Sequence, residues 1–190
     1  MPRARSEKAR GFSKDAEARA RKIRLLIMDV DGVLTDGHVN LLGLADGTTA
    51  EMKSFHSQDG AGLKLARMAG LRLGVISGRN SPAVARRAKE VGMEFVYQGR
   101  GEKLPAYEEI LRLAGVSDAE VAYVGDDLPD LPVLVRAGLA LAVGNAVAEV
   151  RRAAHYVARH GGGDAGVREL IELILKAQKS WARVAGQARA

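Results

Sequence analysis

The segment Leu25-Leu26-Ile27-Met28-Asp29-Val30-Asp31-Gly32 indicates the fold class, because a short apolar run ends abruptly in two carboxylates and a glycine. Consecutive apolar residues followed at once by polar ones are typical of a strand that is buried on both faces of a parallel sheet. The same pattern returns at residues 71–76, 94–97, 121–124 and 139–143, and in a shorter form at 155–157. We therefore predict a sheet of about six strands.

Helical patterns fall between these runs, near residues 59–69, 81–91, 103–114, 129–136, 146–152 and 165–180. Strands that alternate with helices predict an α/β fold, here a Rossmann-like three-layer α/β/α arrangement with a mostly parallel central sheet. The interval from Asp29 to Ser77 is unusually long, and its residues 38–55 are rich in Gly and Thr with alternating apolar positions. We interpret that interval as a β-hairpin flap.

Composition excludes several classes of protein. The chain has 190 residues, 47% of them hydrophobic, which suits one globular domain. No apolar run approaches the roughly 18 residues of a membrane helix, and no signal-peptide pattern is present. Cysteine is absent, which excludes disulfide scaffolds, zinc–thiolate sites and cysteine nucleophiles. We expect a cytoplasmic protein with no membrane partner.

The net charge of +6 is concentrated in residues 1–24, which hold nine Lys or Arg and three acidic residues. Aromatic residues make up 4% of the chain and no base-stacking motif is present, so we do not expect a nucleic-acid partner. We interpret residues 1–14 as a flexible basic N-terminal arm, residues 15–180 as the globular domain and residues 181–190 as a C-terminal tail.

Polar groups follow four of the predicted strands where each strand ends. Ligands of open α/β sheets bind beyond the carboxyl ends of the strands, so these groups should meet at one edge of the sheet. In chain order the four strand ends carry two carboxylates, a hydroxyl, an ammonium group a few residues on, and three carboxylates: Asp29 with Asp31, Ser77, Lys103, and Asp126 with Asp127 and Asp130.

The carboxylates of this edge predict a metal site. Asp29 and Asp31 are two residues apart and share a face of an extended chain, and Asp126 ends a separate strand. Like charges this close need a proton or a cation between them. Oxygen ligands without His or Cys favour Mg²⁺. A structural acid cluster without a metal is the alternative interpretation.

The remaining groups of this edge suit an anion. Ser77 and Gly78 offer a hydroxyl and free backbone N–H groups ahead of a helix, and Lys103 adds a positive charge. Alone, Ser77 is more often a helix cap and Lys103 a surface residue. Together with Mg²⁺ and a free carboxylate they favour phosphoryl transfer, in which catalysis is mostly positioning and charge neutralisation.

These residues carry a resemblance to a known family. Asp29-Val30-Asp31-Gly32-Val33-Leu34-Thr35 resembles the first motif of the haloacid dehalogenase superfamily of phosphatases, and Ser77-Gly78-Arg79 resembles the second. Lys103 fits the third motif, and Gly125-Asp126-Asp127-Leu128-Pro129-Asp130 fits the fourth. The four motifs occur in the required order over about one hundred residues.

The resemblance implies a role for each motif residue. Asp29 would attack phosphorus and form an aspartyl-phosphate, while Asp31 would act as acid and then as base. Mg²⁺ would be held by Asp29, the backbone carbonyl of Asp31 and Asp126, with Asp127 and Asp130 around them. Ser77, Gly78 and Lys103 would bind the phosphoryl oxygens.

The intervals between the motifs leave no room for a cap domain. Larger members of the superfamily insert one after the first or second motif, whereas here 48 residues separate Asp29 from Ser77 and 26 separate Ser77 from Lys103. The resemblance implies a homotetramer, in which a neighbour's flap and C-terminal segment complete the pocket. Arg168 is the candidate for reaching a neighbour's substrate, although a surface arginine is an equal alternative.

Further stretches are similar to one branch of the superfamily, which removes phosphate from an eight-carbon acid sugar, 3-deoxy-D-manno-octulosonate 8-phosphate, in lipopolysaccharide precursor synthesis. They are Asp36-Gly37, residues 55–62, Tyr97-Gln98-Gly99, Asp130-Leu131-Pro132-Val133, and Gly162-Gly163 with Val167-Arg168-Glu169. The branch usually reads Gly-Gly-x-Gly-Ala-x-Arg-Glu at the last of these, whereas residues 164–166 here are Asp-Ala-Gly. The resemblance further implies substrate contacts at His56, Asp59, Gly60, Lys64, Arg79 and Arg87.

Three alternatives remain open at this point. A phosphatase for a nine-carbon acid sugar phosphate would share all four motifs. A phospho-acceptor signalling module also places aspartates and a lysine at strand ends, but it lacks an acid two residues after the nucleophile, where this chain has Asp31. A catalytically inactive regulatory protein is the third, and the filled catalytic positions argue against it.

Overall fold

The computed structural model describes residues 12–187. In chain order the strands are β1 (Leu25–Met28), β2 (Asn40–Gly43), β3 (Thr49–Met52), β4 (Arg72–Ile76), β5 (Phe95–Tyr97), β6 (Val121–Gly125), β7 (Leu139–Ala142) and β8 (Tyr156–Val157). Six of them form one parallel sheet in the order β5-β4-β1-β6-β7-β8, and β2 pairs with β3 antiparallel. The predicted α/β class, parallel sheet and hairpin are confirmed.

Helices cover both faces of the sheet. They are α1 (Lys14–Ala20), α2 (Ser57–Met68), α3 (Pro82–Val91), α4 (Lys103–Ala114), α5 (Leu131–Leu134), α6 (Ala148–Ala153), α7 (Gly166–Ala177) and α8 (Trp181–Gln187). Leu26 and Met28 of β1 join a core shared with α1, α2, α3 and α7, while Leu25 and Ile27 join a core shared with α4, α5 and α6. Successive side chains of β1 point to opposite faces, so one wholly apolar strand serves both cores.

Three elements differ from the sequence prediction. Residues 128–130 form a 3₁₀ turn and α5 spans four residues, where a helix over 129–136 was expected, because prolines at 129 and 132 interrupt the helical hydrogen bonds. The last predicted helix, over 165–180, corresponds to α7, which ends at Ala177 before Lys179 with its φ of 58°; helix α8, which follows from Trp181, was not predicted. Helix α1 was not predicted, and the Ser13 side chain accepts a hydrogen bond from its Ala16 N–H.

The predicted domain boundaries, near residues 14 and 180, can be compared with the ends of the helices. Helix α1 begins at Lys14, the last residue assigned to the basic arm, and residues 1–11 of that arm lie outside the described residues. Helix α8 occupies residues 181–187 of the predicted tail. Within the described chain, no helix is long and apolar enough to cross a membrane.

The strand order places the site at the centre of the sheet. The chain leaves β1 toward β4 and β5 on one side, then returns to β6, β7 and β8 on the other. Such a reversal opens a crevice beyond the carboxyl ends of the two central strands, here β1 and β6. Asp29 directly follows β1 and Asp126 directly follows β6. Between Asp29 and Ser77 the described residues form the hairpin, α2 and β4, and no cap domain.

The hairpin of residues 39–53 is the most exposed part of the fold. All four residues of β2 are exposed, and its turn contains Asp46, whose carboxylate accepts the Thr48 N–H at 2.9 Å, followed by Gly47 at a φ of 81°. Five large apolar side chains of the hairpin are also exposed: Val39, Leu41, Leu42, Leu44 and Met52.

Candidate active site

Asp29 lies at the floor of the crevice. Its N–H donates to the Val124 carbonyl at 3.0 Å, which extends the pairing of β1 with β6 by one residue, and 8% of Asp29 is exposed. Burial raises the pKa of Asp29 to about 6; the positive charge of Lys103 opposes this rise, and the charge of Asp130 adds to it. The side chain is thus a desolvated carboxylate held close to one cation, which is what a nucleophile for phosphoryl transfer requires.

The loop after Asp29 turns tightly and admits a second carboxylate. The Val30 carbonyl accepts hydrogen bonds from the N–H groups of Val33, Leu34 and Thr35. Gly32 has a φ of 94°, and a Cβ added to it would lie 2.0 Å from Asp126 Oδ2. Glycine is therefore required here both for the turn and for the close approach of Asp126.

Lys103 and Asp130 form a buried ion pair beside Asp29. Lys103 is the first residue of α4, and its Nζ lies 2.8 Å from Asp29 Oδ1 and 2.7 Å from Asp130 Oδ1. Burial alone would lower the pKa of Lys103, but the charges of Asp29 and Asp130 raise it above its ordinary value. The lysine therefore stays protonated and presents its charge to an incoming phosphoryl group.

Asp130 connects the lysine to the loop after β6. Its Oδ1 also accepts the Tyr123 hydroxyl at 2.7 Å, and its Oδ2 accepts the backbone N–H groups of Asp126 at 2.9 Å and Asp127 at 3.2 Å. Both oxygens of Asp130 are thus supplied with donors. The role predicted for Asp130, support of the ligands and not ligation itself, stays a prediction, and the donors on both oxygens favour it. Tyr123 was not predicted, because it lies inside an apolar strand.

The residues present fit a hard divalent cation. One carboxylate oxygen each from Asp29, Asp126 and Asp130 can be chosen so that all three lie within 4.8 Å of one another. Asp126 Oδ1 is buried and has no hydrogen-bond partner. Burial, followed by the charges of Asp29 and Asp130, raises the pKa of Asp126 to about 7. A cation between Asp29 and Asp126 would satisfy the free oxygen and offset this repulsion, as Mg²⁺ does with carboxylate ligands.

The predicted anion-binding residues, Ser77 and Gly78, follow β4, which pairs with β1. Ser77 follows β4, is 1% exposed, and its Oγ accepts the Arg79 N–H at 3.2 Å. A Cβ added to Gly78 would meet no atom nearer than the Arg100 carbonyl oxygen, at 3.9 Å. The backbone at Gly78 therefore faces open space, which leaves room for a ligand to approach its N–H.

Asp31 turns away from the carboxylate cluster and toward the hairpin. Its Oδ1 pairs with Lys53 Nζ, and its Oδ2 lies 4.0 Å from Arg79 Nε. Glu51 Oε1 pairs with Lys53 at 3.4 Å and with Arg79 Nη2 at 3.3 Å. Sequence reasoning missed Glu51 and Lys53. The available signal was their spacing of two, which puts both side chains on one face of an extended chain.

The other predicted substrate residues lie on α2 and α3. His56 caps α2, its Nδ1 accepting the Gln58 N–H at 3.3 Å, and Lys64 is exposed on the same helix. Arg87 pairs with Glu90 at 2.9 Å and covers the Phe55 ring at 5.7 Å, and a Cβ added to Gly60 would lie 2.0 Å from Arg87 Nη2.

Two predicted acids have backbone partners. Asp59 is 2% exposed, and its Oδ1 accepts the Arg168 N–H at 2.7 Å, so it caps the start of α7 from a neighbouring helix. Burial, opposed by this hydrogen bond, raises the pKa of Asp59. Asp127 is exposed, and its Oδ1 accepts the Leu128 N–H at 2.8 Å at the start of the 3₁₀ turn.

A glycine-rich segment packs on the loop of the first motif within the same subunit. Asn145 Nδ2 donates to the Gly32 carbonyl at 3.0 Å, and Asn145 Oδ1 accepts the Gly162 N–H at 2.6 Å. A Cβ added to Gly162 would lie 1.9 Å from the Gly32 carbonyl oxygen. Asn145 thus links two loops that lie far apart in the chain, and sequence reasoning did not find it.

A parallel sheet with a buried aspartate at its switch point, a lysine beside it and a carboxylate pair that could hold a cation defines a phosphatase of the haloacid dehalogenase type. The comparisons with known proteins agree: residues 93–171 match the family model described as haloacid dehalogenase-like hydrolase. The chain is 39% identical to the 3-deoxy-D-manno-octulosonate 8-phosphate phosphatase KdsC of Escherichia coli strain K12 over 175 residues, which is 92% of this chain and 91% of that protein.

Solved structures give the same assignment. The 3-deoxy-D-manno-octulosonate 8-phosphate phosphatase of Yersinia pestis is 40% identical, with a TM-score of 0.84 and 89% of each chain covered. The enzyme of that name from Moraxella catarrhalis, in complex with a magnesium ion, a phosphate ion and a KDO molecule, is 39% identical, with a TM-score of 0.85 and coverage of 91% of this chain and 97% of that one. The chain belongs to the family of 3-deoxy-D-manno-octulosonate 8-phosphate phosphatases.

Proposed function

We propose that this protein is a Mg²⁺-dependent phosphatase that converts 3-deoxy-D-manno-octulosonate 8-phosphate and water to 3-deoxy-D-manno-octulosonate and phosphate. The observation that carries the proposal is the placement of Asp29, buried beside Lys103 and Asp126, at the switch point of a sheet that the named relatives share. This family membership favours hydrolysis over a signalling module or an inactive protein. We further propose that the enzyme works in the cytoplasm, in lipopolysaccharide precursor synthesis.

The first half of the proposed reaction uses the two acids of the first motif. A carboxylate oxygen of Asp29 attacks phosphorus while the bond to the sugar oxygen breaks, and Asp31 gives its proton to the leaving oxygen. In the second half, Asp31 takes a proton from water, and the resulting hydroxide attacks the aspartyl-phosphate and releases phosphate. Both acids return to their starting states.

The surrounding groups bind and neutralise the phosphoryl oxygens. Lys103 supplies a fixed positive charge beside Asp29, and Ser77 and the Gly78 N–H supply hydrogen bonds. Asp29, Asp126 and the Asp31 carbonyl would hold Mg²⁺, which when bound neutralises charge on the nucleophile and the transferred group. Arg79 and Arg87, with His56, Asp59, Gly60 and Lys64, are proposed to form the sugar side of the pocket.

Phosphate release in the presence of Mg²⁺ tests the function. The substrates are 3-deoxy-D-manno-octulosonate 8-phosphate, a nine-carbon acid sugar 9-phosphate, glucose 6-phosphate and p-nitrophenyl phosphate. We expect the highest kcat/KM on the eight-carbon acid sugar, and no release after chelation of the metal. A preference for the nine-carbon ester would keep the chemistry and replace the substrate, whereas release from none of the four would refute the proposal.

We also propose that the protein assembles as a homotetramer in which a neighbouring subunit covers the site. Leu41 and Leu42 of the hairpin are 64% and 62% exposed, a large apolar surface on an element that extends beside an uncapped crevice. Sedimentation equilibrium measures the mass of the assembly. We expect a tetramer for the wild type and smaller species for a variant with Leu41→Ser and Leu42→Ser, and a monomeric wild type would contradict the proposal.

A further inference from the structure

Lys53 is a buried cation on an exposed element. It follows β3 at the base of the hairpin, and its side chain is 1% exposed, whereas neighbouring Met52 is 60% exposed. The ammonium group pairs with Asp31 and lies 3.4 Å from Glu51. None of the four sequence motifs contains this residue, yet it lies closer to the acid/base residue than any motif cation does.

Glu51 fixes the direction from which Lys53 approaches. Glu51 and Lys53 share one face of the hairpin, and Glu51 also accepts from Arg79 Nη2 at 3.3 Å. A hydrogen bond with Ser81, at the start of α3, holds the pKa of Glu51 below its ordinary value despite partial burial. The two carboxylates of Asp31 and Glu51 are thus balanced by the two cations of Lys53 and Arg79, and the set ties the hairpin to the loop after β4.

Asp31 depends on this set for its orientation. Its carboxylate is 20% exposed, and Arg79 lies at the outer limit of an ion pair, 4.0 Å away, so Lys53 makes the close contact. A proton donor must lie within hydrogen-bond reach of the leaving oxygen, and a displacement of about 1 Å can reduce a rate about 100-fold. A buried ammonium with a second anchor at Glu51 restricts this displacement.

We propose that Lys53 is a positioning residue, which holds the Asp31 carboxylate in place for proton transfer and thereby couples the hairpin to the reaction. The inference rests on the proposed function, because it assumes that Asp31 is the acid and base. The competing role for Lys53 is recognition of the substrate's own carboxylate, and the two roles predict different losses on different esters.

The test compares Lys53→Met, Lys53→Gln and Lys53→Arg with the wild type on three esters. 3-Deoxy-D-manno-octulosonate 8-phosphate has a poor leaving group and a carboxylate, glucose 6-phosphate has a poor leaving group and no carboxylate, and p-nitrophenyl phosphate has a leaving group that needs little protonation. Lys89→Met, on the exposed face of α3, is the matched control for loss of a lysine. Lys53→Gln keeps a polar side chain of similar length should Lys53→Met not fold.

We expect kcat/KM on both poor leaving groups to fall about 30- to 100-fold in Lys53→Met and Lys53→Gln, with the larger part of the loss in kcat. On p-nitrophenyl phosphate the loss should stay below about 5-fold, because proton donation contributes little there. Lys53→Arg should recover most of the activity, since it keeps the charge, and Lys89→Met should match the wild type.

Equal losses on all three esters would overturn the inference, and so would a loss confined to the acid sugar phosphate, which would assign Lys53 to carboxylate recognition. Hydrogen exchange gives a readout that needs no turnover: amides of residues 49–53 should exchange faster in Lys53→Gln than in Lys89→Met, and unchanged exchange would contradict the coupling. A wild type inactive on every ester would be a failure of the proposed function, whereas an active wild type with equally active variants would be a failure of this inference alone.

Discussion

The carboxylate cluster and the hairpin hold their charged groups in opposite ways. Asp29, Lys103 and Asp130 are each less than 10% exposed, and each is fixed at the end of a strand or the start of a helix by contacts within the core. The hairpin exposes Leu41 and Leu42 on both sides and contacts the site through Lys53 and Glu51. The proposed chemistry is thus built into the sheet, while the hairpin, which we propose covers the substrate, has little packing in its own subunit. Because the two regions are separate, the sequence of the hairpin could change without altering the carboxylate cluster in the sheet.

Replacing the proposed nucleophile tests the role of the buried carboxylate cluster. Asp29→Asn should abolish turnover, a loss of at least about 10⁴-fold in kcat, because an amide cannot form the phosphoryl intermediate. The fold should persist, since the amide is nearly the same size and removes one of several crowded negative charges. Phosphate release and the thermal midpoint measure both effects. Substantial residual activity with a stable fold would reject Asp29 as nucleophile.

The crowding of carboxylates also predicts how stability depends on pH. The pKa values of Asp29 and Asp126 are raised to about 6 and about 7 in the folded protein, above those of the unfolded chain, so the folded state binds more protons in this range. Without metal, the contribution of these two groups is therefore full below their unfolded pKa and is lost as the pH rises through 6 and 7. His155 has a lowered pKa and contributes with the opposite sign.

Urea unfolding across this pH range in the presence of a chelator measures the effect, and Asp126→Asn is the control, since it keeps His155 but lacks one carboxylate. We expect stability to fall less steeply with pH in the variant than in the wild type. Added Mg²⁺ should stabilise the wild type more at the upper end of the range, because the ion binds deprotonated carboxylates. Parallel curves for the two proteins would contradict the assignment.

Removing the Tyr123 hydroxyl, which donates to Asp130, should have a smaller effect on stability and turnover. Tyr123→Phe removes one donor from Asp130 Oδ1 and keeps the ring in the core, so it should cost about 2 kcal/mol of stability, as for a hydrogen bond to a charged group. Because Asp130 also holds Lys103 and the loop of Asp126, kcat should fall about 10-fold in parallel. Urea unfolding and steady-state kinetics provide the measurements, and an unchanged kcat would show that Lys103 holds Asp130 without the tyrosine.

The sequence predicted the buried half of the site because strand ends are readable from a local pattern. An apolar run followed by Asp29, Ser77 or Asp126 marks where a strand stops, and parallel strands bring their carboxyl ends to one edge. Gly32 likewise indicated a sharp turn. The structure adds a second reason for glycine at this position, because a Cβ there would lie 2.0 Å from Asp126 Oδ2. Each inference needed fewer than ten neighbouring residues.

The rest of the site depends on contacts that no local pattern contains. The pairing of Lys53 with Asp31 requires the hairpin to fold back across the crevice, and its spacing from Glu51 indicates a shared face without naming a partner. In the sequence, Tyr123 looks like an ordinary core residue of β6. Its hydroxyl donates to Asp130, seven positions later in a turn that contains a proline, and no local pattern indicates this contact. Asn145 joins loops separated by 113 residues.

The smallest predicted effect comes from the one stretch where the sequence departs from the family pattern. Ala165 has a φ of 63°, a conformation that costs an L residue about 1–2 kcal/mol, and it stands where the pattern has glycine. Ala165→Gly should therefore stabilise the protein by about 0.5–1 kcal/mol, because the relieved strain exceeds the added entropy of the unfolded chain.

The neighbouring position supplies the control. A Cβ added to Gly166 would lie 2.6 Å from the Gly161 carbonyl oxygen and 2.7 Å from that of His160, so Gly166→Ala should destabilise the fold by about 1–3 kcal/mol, as overpacking does. Combining both changes restores the order of residues that the family uses, and it should recover stability only if the loop before α7 shifts. A double variant less stable than Ala165→Gly by the full cost of Gly166→Ala would show that the loop before α7 is rigid.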